Sequence, residues 1–180
     1  MLCPACGTEN FAGADTCSEC NSDLAAVETR SLDPVEERLH NDRVGGAAKP
    51  NPLIVAPLDT VDSVVQKMAI LGHNCAMVAY DDVLVGIFTE RDVLRKLSAD
   101  YDNLKSAPVR DFMTPAPEAL ETDTPLTFAL NKMSVGGFRH VPVVDHGALV
   151  GIISIGDVVK HHIAEVQMEV TAMRDYLATG

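Results

Sequence analysis

Four cysteines near the N-terminus have the residue type and spacing of a metal site. Cys3 and Cys6 form one C-x2-C pair, and Cys17 and Cys20 form a second pair after a ten-residue spacer. Two such pairs can place four thiolates tetrahedrally around one Zn²⁺. Because four protein ligands leave no open coordination position, the predicted role of this zinc is structural, or to shape a docking surface, rather than catalytic.

The charge of the chain narrows its possible partners. The 180 residues include 14 Lys plus Arg and 26 Asp plus Glu, a net charge of −12. Such a surface repels nucleic-acid phosphates and anionic lipid headgroups, and residues 1–24 contain four acids but no Lys or Arg. Nucleic-acid recognition by the cysteine segment is therefore the least favoured function. Since no run of 18 apolar residues and no signal-peptide pattern occurs, we predict a cytoplasmic protein with no membrane association.

Two other interpretations of the four cysteines are a pair of disulfides and a redox C-x-x-C motif. A cytoplasmic location argues against stable disulfides, and the polar, turn-rich spacer differs from the strand and long helix around a thioredoxin-like motif. Gly7 and Asn21, which follow the two pairs, tolerate the positive φ often required there. Residues 1–24 resemble the small zinc ribbons of many prokaryotic proteins, including the Cys-Pro-x-Cys-Gly turn and the closing Leu24.

An internal repeat makes up most of the remaining chain. Shifting the sequence by 65 residues aligns 60–93 with 125–158 without a gap, and ten of the 34 aligned pairs are identical. Each copy must therefore have the same local fold. The pattern in each copy predicts a short extended segment, an amphipathic helix ended by glycine, a hairpin and a second helix. The strands expected are Leu53–Val55, Ala76–Tyr80 and Leu84–Phe88 in the first copy, and Glu118–Leu120, Val141–Val144 and Leu149–Ile153 in the second.

The predicted fold class is α/β (α+β), with two pseudo-symmetric β-α-β-β-α units packed together, a small N-terminal zinc ribbon and a C-terminal helix. The predicted parts are residues 1–24 (ribbon), 25–50 (linker with a short helix opening at Asp33-Pro34 and a hinge over Gly45–Pro50), 51–110 (first unit), 111–163 (second unit) and 164–180 (C-terminal helix).

The C-terminal helix carries apolar residues at alternating spacings of three and four. This spacing is typical of a two-heptad coiled-coil seam, so the helix either forms a dimer or packs back on its own chain. The seam consists of Ile163, Val166, Val170, Met173 and Leu177.

Both copies share the pattern G-h-h-S/T-x-x-D, where h is apolar, at the turn from the second hairpin strand to the second helix. The first copy has Thr89 and Asp92 at the polar positions, and the second has Ser154 and Asp157. A Ser or Thr followed three residues later by an acid also forms a capping box, so local physics favours helix capping.

The duplication, the order of the elements and this motif, together with Val109–Thr114 leading into the second copy, resemble a tandem pair of cystathionine β-synthase (CBS) domains, a Bateman module. The resemblance covers residues 51–163. It implies two pseudo-symmetric units whose clefts bind an adenosine-containing ligand such as AMP, ADP, ATP or S-adenosylmethionine. It also implies a homodimer.

The resemblance assigns roles to particular residues. Asp92 and Asp157 would accept hydrogen bonds from ribose hydroxyls, and Thr89 and Ser154 would bond ribose or phosphate near a helix N-terminus. Arg139 and His140 match the basic pair that contacts phosphates, whereas the first copy has Asn74 and Cys75 there. We therefore expect the second copy to hold the better nucleotide site.

Other polar residues are weaker candidates. Adjacent residues of a helix do not face each other, so His161 and His162 are expected to be a solvated pair rather than metal ligands. Cys75 is expected to be an inert core thiol. Because no catalytic constellation occurs, the predicted function is a regulatory, ligand-sensing module whose zinc ribbon docks a protein partner. The alternative is a structural scaffold in which the repeats only dimerise.

Overall fold

The computed structural model describes residues 3, 5–11, 14–24, 39, 41–81 and 83–179. The helix predicted to open at Asp33-Pro34 lies outside these residues. The chain divides into two compact units, one formed by residues 1–48, 120–141 and 153–180 and the other by 49–119 and 142–152. The second unit thus contains residues of both sequence repeats, whereas the first contains residues of the second repeat only.

The described residues form two sheets with helices. The strands are β1 (Lys49–Pro50), β2 (Ile54–Val55), β3 (Cys75–Tyr80), β4 (Val83–Thr89), β5 (Thr114–Pro115), β6 (Leu120–Glu121), β7 (His140–Asp145) and β8 (Ala148–Ser154). The helices are α1 (Val44–Ala47), α2 (Val61–Leu71), α3 (Glu90–Asp92), α4 (Tyr101–Leu104), α5 (Leu126–Gly136) and α6 (Ile155–Thr179). One sheet has the strand order β2-β3-β4-β5 and the other β1-β8-β7-β6. This architecture confirms the predicted fold class.

The predicted helices and hairpins occur in both repeats, with ends extended by one or two residues. In α2 the apolar stripe buries Val61, Val64 and Met68, because residues at this spacing share one helix face. Helix α5 buries its equivalent stripe. Gly72 and Gly137 end the two helices with φ values of 67° and 66°, a left-handed conformation that glycine adopts without strain.

The segments that precede the two repeats are equivalent, and each pairs with the helix start of the other repeat. The Val44 amide donates to the Thr124 carbonyl at 2.8 Å, and 65 residues later the Val109 amide donates to the Asp59 carbonyl at 2.8 Å. Both valines are fully buried. The strands show the same relation, since β1 pairs with β8 through Pro50 and Gly151, and β5 pairs with β4 through Pro115 and Gly86.

The prediction of a hinge over Gly45–Pro50, and with it a linker reaching residue 50, is wrong. Val44–Ala47 is a short helix and Lys49–Pro50 is a strand of the second sheet. Gly45 donates its amide to the Thr122 carbonyl at 2.8 Å, and a Cβ at Gly45 would meet Thr122 Cβ and O at 3.1 Å. The glycine thus permits a close backbone approach rather than flexibility.

A pair of glycine substitutions tests this interpretation. We expect Gly45→Ala to lower the free energy of unfolding by about 1–3 kcal/mol, because the added methyl group crowds the Thr122 backbone. Gly46→Ala is the matched control, since its Cβ would meet only His161 Cε1 at an ordinary 3.8 Å. Urea unfolding of both variants measures the difference. Equal stability of the two variants would contradict the close approach.

The second helices of the two repeats differ in form. In the first repeat, α3 continues as a single π-helical turn, Val93–Leu97, in which Leu97 is buried. In the second repeat, α6 runs without interruption from Ile155 to Thr179, so the predicted boundary at residue 163 falls within one helix. The apolar residues of the predicted C-terminal seam are between 37 and 78 % exposed.

Candidate functional sites

The four cysteines of the N-terminal pairs converge at one point. The Cys3 and Cys20 sulfurs are 3.5 Å apart, as are the Cys6 and Cys17 sulfurs, and all four sulfurs lie within 4.8 Å of one another. Four thiolates around one Zn²⁺ at 2.3 Å would be separated by about 3.8 Å. The structure therefore brings together a donor set that fits a tetrahedral metal ion.

Two equivalent turns hold these cysteines. The Gly7 amide donates to the Cys3 carbonyl at 2.8 Å, and the Asn21 amide donates to the Cys17 carbonyl at 3.0 Å. Gly7 has φ 74° and Asn21 has φ 58°, which confirms the positive φ predicted after each pair. Thr8 and Ser22 then place their hydroxyl oxygens 3.2 and 3.1 Å from the sulfurs of Cys6 and Cys20.

The pKa values of three thiols of this cluster are shifted in different directions. Burial raises the pKa of Cys3 and Cys6. Burial acts in the same direction on Cys17, but the backbone amides of Cys20 and Glu19 donate to its sulfur and lower its pKa. Amides directed at sulfur stabilise thiolates, which are the form that binds metal.

The cysteine segment rests on helix α5 of the second repeat. The Thr127 hydroxyl donates to the Ala5 carbonyl at 2.7 Å, and the Asn131 amide group donates to the Cys20 carbonyl at 3.1 Å and to the Ser22 hydroxyl at 2.7 Å. Phe128 packs against the buried cysteines, with the Lys132 ammonium 5.3 Å from its ring centre. Sequence reasoning missed this contact.

A signal for that contact is present in the repeat alignment. The positions in α2 that correspond to Thr127, Phe128 and Asn131 are occupied by Asp62, Ser63 and Gln66. An apolar aromatic residue on an otherwise polar helix face marks α5 as the helix with something packed on it.

The shared S/T-x-x-D motif forms a complete capping box in both repeats. The Thr89 amide donates to Asp92 Oδ2 at 2.9 Å and the Asp92 amide donates to Thr89 Oγ1 at 3.3 Å. Ser154 and Asp157 reproduce both distances. The capping interpretation is therefore confirmed at both turns, and the proposed ligand roles of these four residues stay predictions.

The cap carboxylate of the first repeat is also neutralised. Lys96 pairs with Asp92 Oδ1 at 2.8 Å and donates to the Phe112 carbonyl at 2.6 Å. The residue at the equivalent position of the second repeat is His161.

The structure places the predicted basic pair beside the second cap. The Ile155 amide, at the start of α6, donates to the Arg139 carbonyl at 3.3 Å. The same bond in the first repeat joins the Glu90 amide to the Asn74 carbonyl at 3.1 Å. Arg139 is exposed and His140 half-buried, and Asn74 is exposed like Arg139. The backbone of Arg139 therefore lies beside the start of α6, next to the Ser154–Asp157 turn, and the corresponding residue of the first repeat, Asn74, is uncharged.

The prediction that His161 belongs to a solvated pair is wrong. His161 lies half-buried, with Nε2 3.6 Å from Asp42 Oδ2 and 3.5 Å from Glu165 Oε1. Glu165 is one helical turn further along α6, and Asp42 comes from the segment that precedes α1, which the sequence pattern did not connect with this helix. Cys75 is buried, as predicted for a core thiol, in a cluster with Met77, Ile87 and Ile152.

No helix among the described residues is both long enough and apolar enough to cross a membrane.

Comparisons with known proteins agree with the repeat and the fold. The sequence model of the CBS domain matches residues 44–99 and again residues 109–163. The CBS domain-containing protein CBSCBSPB1 of Arabidopsis thaliana is 38 % identical over 104 residues, which are 57 % of this chain and 19 % of that protein. The mitochondrial CBS domain-containing protein CBSX3 of Arabidopsis thaliana is 35 % identical over 130 residues, 68 % of this chain and 62 % of that protein. The chain thus spans less than two thirds of each of these relatives.

Solved structures give the same result. The CBS domain NE2398 superposes with a TM-score of 0.63 at 31 % identity, covering 68 % of this chain and 98 % of that one. CBSX2 in complex with AMP has a TM-score of 0.58 at 29 % identity, covering 71 % of this chain and 98 % of that one. The CBS domain protein PAE2072 of Pyrobaculum aerophilum, complexed with AMP, has a TM-score of 0.58 at 27 % identity, covering 64 % and 89 %. With two matches that span more than half of its length, the chain belongs to the CBS-domain family and carries the domain as a tandem pair.

Proposed function

We propose that this protein is a regulatory module, not an enzyme, that senses an adenosine-containing nucleotide at the second repeat. The observation that carries the proposal is the position of Arg139 beside the Ser154–Asp157 turn. Arg139 is exposed and forms no ion pair with another described residue. A guanidinium next to a helix N-terminus suits a phosphate, and a carboxylate held by a cap suits ribose hydroxyls. Two relatives of 27 and 29 % identity were solved with AMP.

The first repeat offers a poorer site. Its equivalent of Arg139 is the uncharged Asn74, and its cap carboxylate Asp92 already pairs with Lys96 at 2.8 Å. In a chain of net charge −12, an anionic ligand needs local positive charge. A nucleotide would therefore bind more tightly at the Ser154–Asp157 turn, near Arg139 and His140, than at the Thr89–Asp92 turn.

Equilibrium titration of the full chain with labelled AMP, ATP and S-adenosylmethionine tests the proposal. We expect one ligand to bind with a micromolar Kd, and Asp157→Ala to weaken that binding by roughly tenfold or more because one charged hydrogen-bond acceptor is lost. Asp92→Ala is the matched control: it removes the same capping bonds in the first repeat, and we expect a stability loss with little change in affinity.

The result that would overturn the proposal is equally specific. If none of the three ligands binds below millimolar concentration, and Asp157→Ala lowers stability alone, then the motif serves only as a cap. The alternative function, a scaffold built from paired chains, would then replace nucleotide sensing. The exposed apolar seam of α6, from Ile163 to Leu177, favours that alternative and a homodimer through this helix.

We further propose that the four-cysteine cluster holds a structural Zn²⁺ and that this zinc ribbon docks a protein partner. Cys3, Cys6, Cys17 and Cys20 would be the ligands, and zinc would supply the folding energy of a segment with almost no apolar core. Phe11 of the ribbon is 77 % exposed, which is unusual for a large aromatic side chain and suits a contact with another protein. The hydrogen bonds to α5 are made by Ala5, Cys20 and Ser22 of the ribbon.

A further inference from the structure

We propose that Asp42, His161 and Glu165 form a second metal site, distinct from the cysteines, that binds a divalent transition-metal ion such as Zn²⁺ or Mn²⁺. The three side chains offer two carboxylate oxygens and one imidazole nitrogen, and these ligand atoms all lie within 4.8 Å of one another. Imidazole suits transition metals better than Mg²⁺ or Ca²⁺, which prefer oxygen ligands. Three protein ligands leave at least one coordination position for water.

The distances fit a metal better than they fit hydrogen bonds. His161 Nε2 is 3.6 Å from Asp42 Oδ2 and 3.5 Å from Glu165 Oε1. Hydrogen bonds from nitrogen to oxygen are shorter, about 2.7–3.2 Å. Nitrogen and oxygen ligands of one tetrahedral Zn²⁺, at bond lengths near 2.1 Å, are separated by roughly 3.4 Å.

One carboxylate oxygen of the cluster lacks a hydrogen-bond donor. Asp42 Oδ2 is buried and has no hydrogen-bond partner among the described residues. A buried acceptor without a donor is costly, and two carboxylates that share a half-buried space repel each other. One divalent cation would remove both costs, since it balances two carboxylates beside a neutral imidazole.

Helix α6 and one backbone hydrogen bond hold the three residues in place. His161 and Glu165 are four residues apart on α6 and so lie on one helix face. The Leu126 amide donates to the Asp42 carbonyl at 3.0 Å, which holds Asp42 against the start of α5. Gly46 lies beside the imidazole, since a Cβ there would meet His161 Cε1 at an ordinary 3.8 Å.

The corresponding positions around the first repeat do not carry the same three ligands. The first-repeat positions that correspond to Asp42, His161 and Glu165 are Ala107, Lys96 and Asp100. In the first repeat, Lys96 stands at the position of His161 and pairs with Asp92, the equivalent of Asp157. The same location in the pseudo-symmetric fold thus carries an ammonium group in one repeat and a set of metal ligands in the other.

Calorimetric titration of the full chain, loaded beforehand with one equivalent of Zn²⁺ at the cysteines, tests the proposal. We expect the wild type to bind a further equivalent of Zn²⁺, and likewise of Mn²⁺. His161→Gln and Glu165→Gln should each weaken the binding of this second equivalent at least about tenfold. His146→Gln is the control: its side chain is 99 % exposed, and this variant should bind like the wild type.

A charge-replacement variant distinguishes loss of metal binding from loss of the fold. His161→Lys copies the first repeat and puts one positive charge beside the two carboxylates, so it should remain folded, lose the second equivalent, and show no rise in Tm when Mn²⁺ is added. The wild type should show that rise. The proposal fails if the wild type binds no second equivalent up to millimolar metal, or if His161→Gln and His161→Lys bind it as the wild type does.

Discussion

The Cys17→Ser variant is expected to lose its zinc and, with it, the fold of residues 3–24. Among the described residues of this segment, the buried apolar ones besides cysteine are only Ala14 and Leu24, which cannot offset the conformational entropy of some twenty residues. In zinc-finger peptides a structural Zn²⁺ contributes about 10–16 kcal/mol of apparent binding energy, which is folding energy. Loss of one ligand should therefore unfold the segment rather than loosen it.

Cobalt binding and hydrogen exchange measure this result. Co²⁺ bound to thiolates gives a sulfur-to-metal charge-transfer absorption, which only the cysteine cluster can produce. We expect Cys17→Ser to lose that absorption and the amide protection of residues 3–24. Because Asn131 donates two hydrogen bonds to the ribbon and Phe128 packs on it, protection along α5 should also fall.

Cys75→Ser is the matched control for this prediction. It makes the same chemical change at another buried cysteine, in strand β3, so it should cost some stability and leave Co²⁺ absorption unchanged. Retained absorption in Cys17→Ser, or full amide protection of residues 3–24 in metal-free wild type, would contradict the structural role of the metal.

The second large effect is expected at Arg139. Hydrogen bonds to charged groups contribute about 1.5–3 kcal/mol, so Arg139→Ala should weaken AMP binding roughly 10–100-fold. Adenosine lacks the phosphate, so its affinity should hardly change. Arg174→Ala removes the same charge from an exposed position near the end of α6 and serves as the control.

A gain-of-function variant tests the same role of arginine in the first repeat. Asn74 is exposed and its carbonyl accepts the Glu90 amide, as the Arg139 carbonyl accepts the Ile155 amide. Asn74→Arg should therefore place a guanidinium beside the Thr89–Asp92 turn and add a second, weaker AMP equivalent in calorimetry. If Arg139→Ala lowers the affinities for AMP and adenosine equally, the arginine does not contact the phosphate, and the assigned orientation of the ligand is wrong.

Much of the local structure could be predicted from short-range pattern. The apolar spacing that starts at Val61 and Leu126 produces helices, Gly72 and Gly137 end them, and Thr89 and Ser154 cap the helices that follow. The C-x2-C spacing likewise predicted the convergence of the four cysteines. These features depend on contacts between residues close in sequence or repeated by duplication, so the sequence contains the information directly.

The structure of residues 42–50 could not be predicted in the same way. Glycine and alanine at 45–48 are typical of a hinge, but Gly45 is required because the Thr122 backbone lies 3.1 Å from where a Cβ would stand. The equivalent segment of the other repeat, Val109–Thr114, has a different composition. A close approach to a distant backbone leaves no local pattern beyond the small residue itself.

The sequence by itself determined the elements, the duplication, the cluster of four thiols and the family to which the chain belongs. Only the tertiary structure showed that the segment preceding each repeat pairs with the other repeat, and that the ribbon rests on α5. It also showed that Asp42 lies beside His161 and Glu165, which are about 120 residues away in the sequence. The physical reason is that helix and hairpin formation depends on local spacing, whereas burial of Val44, Phe128 or His161 depends on surfaces that exist only after the distant parts of the chain have packed.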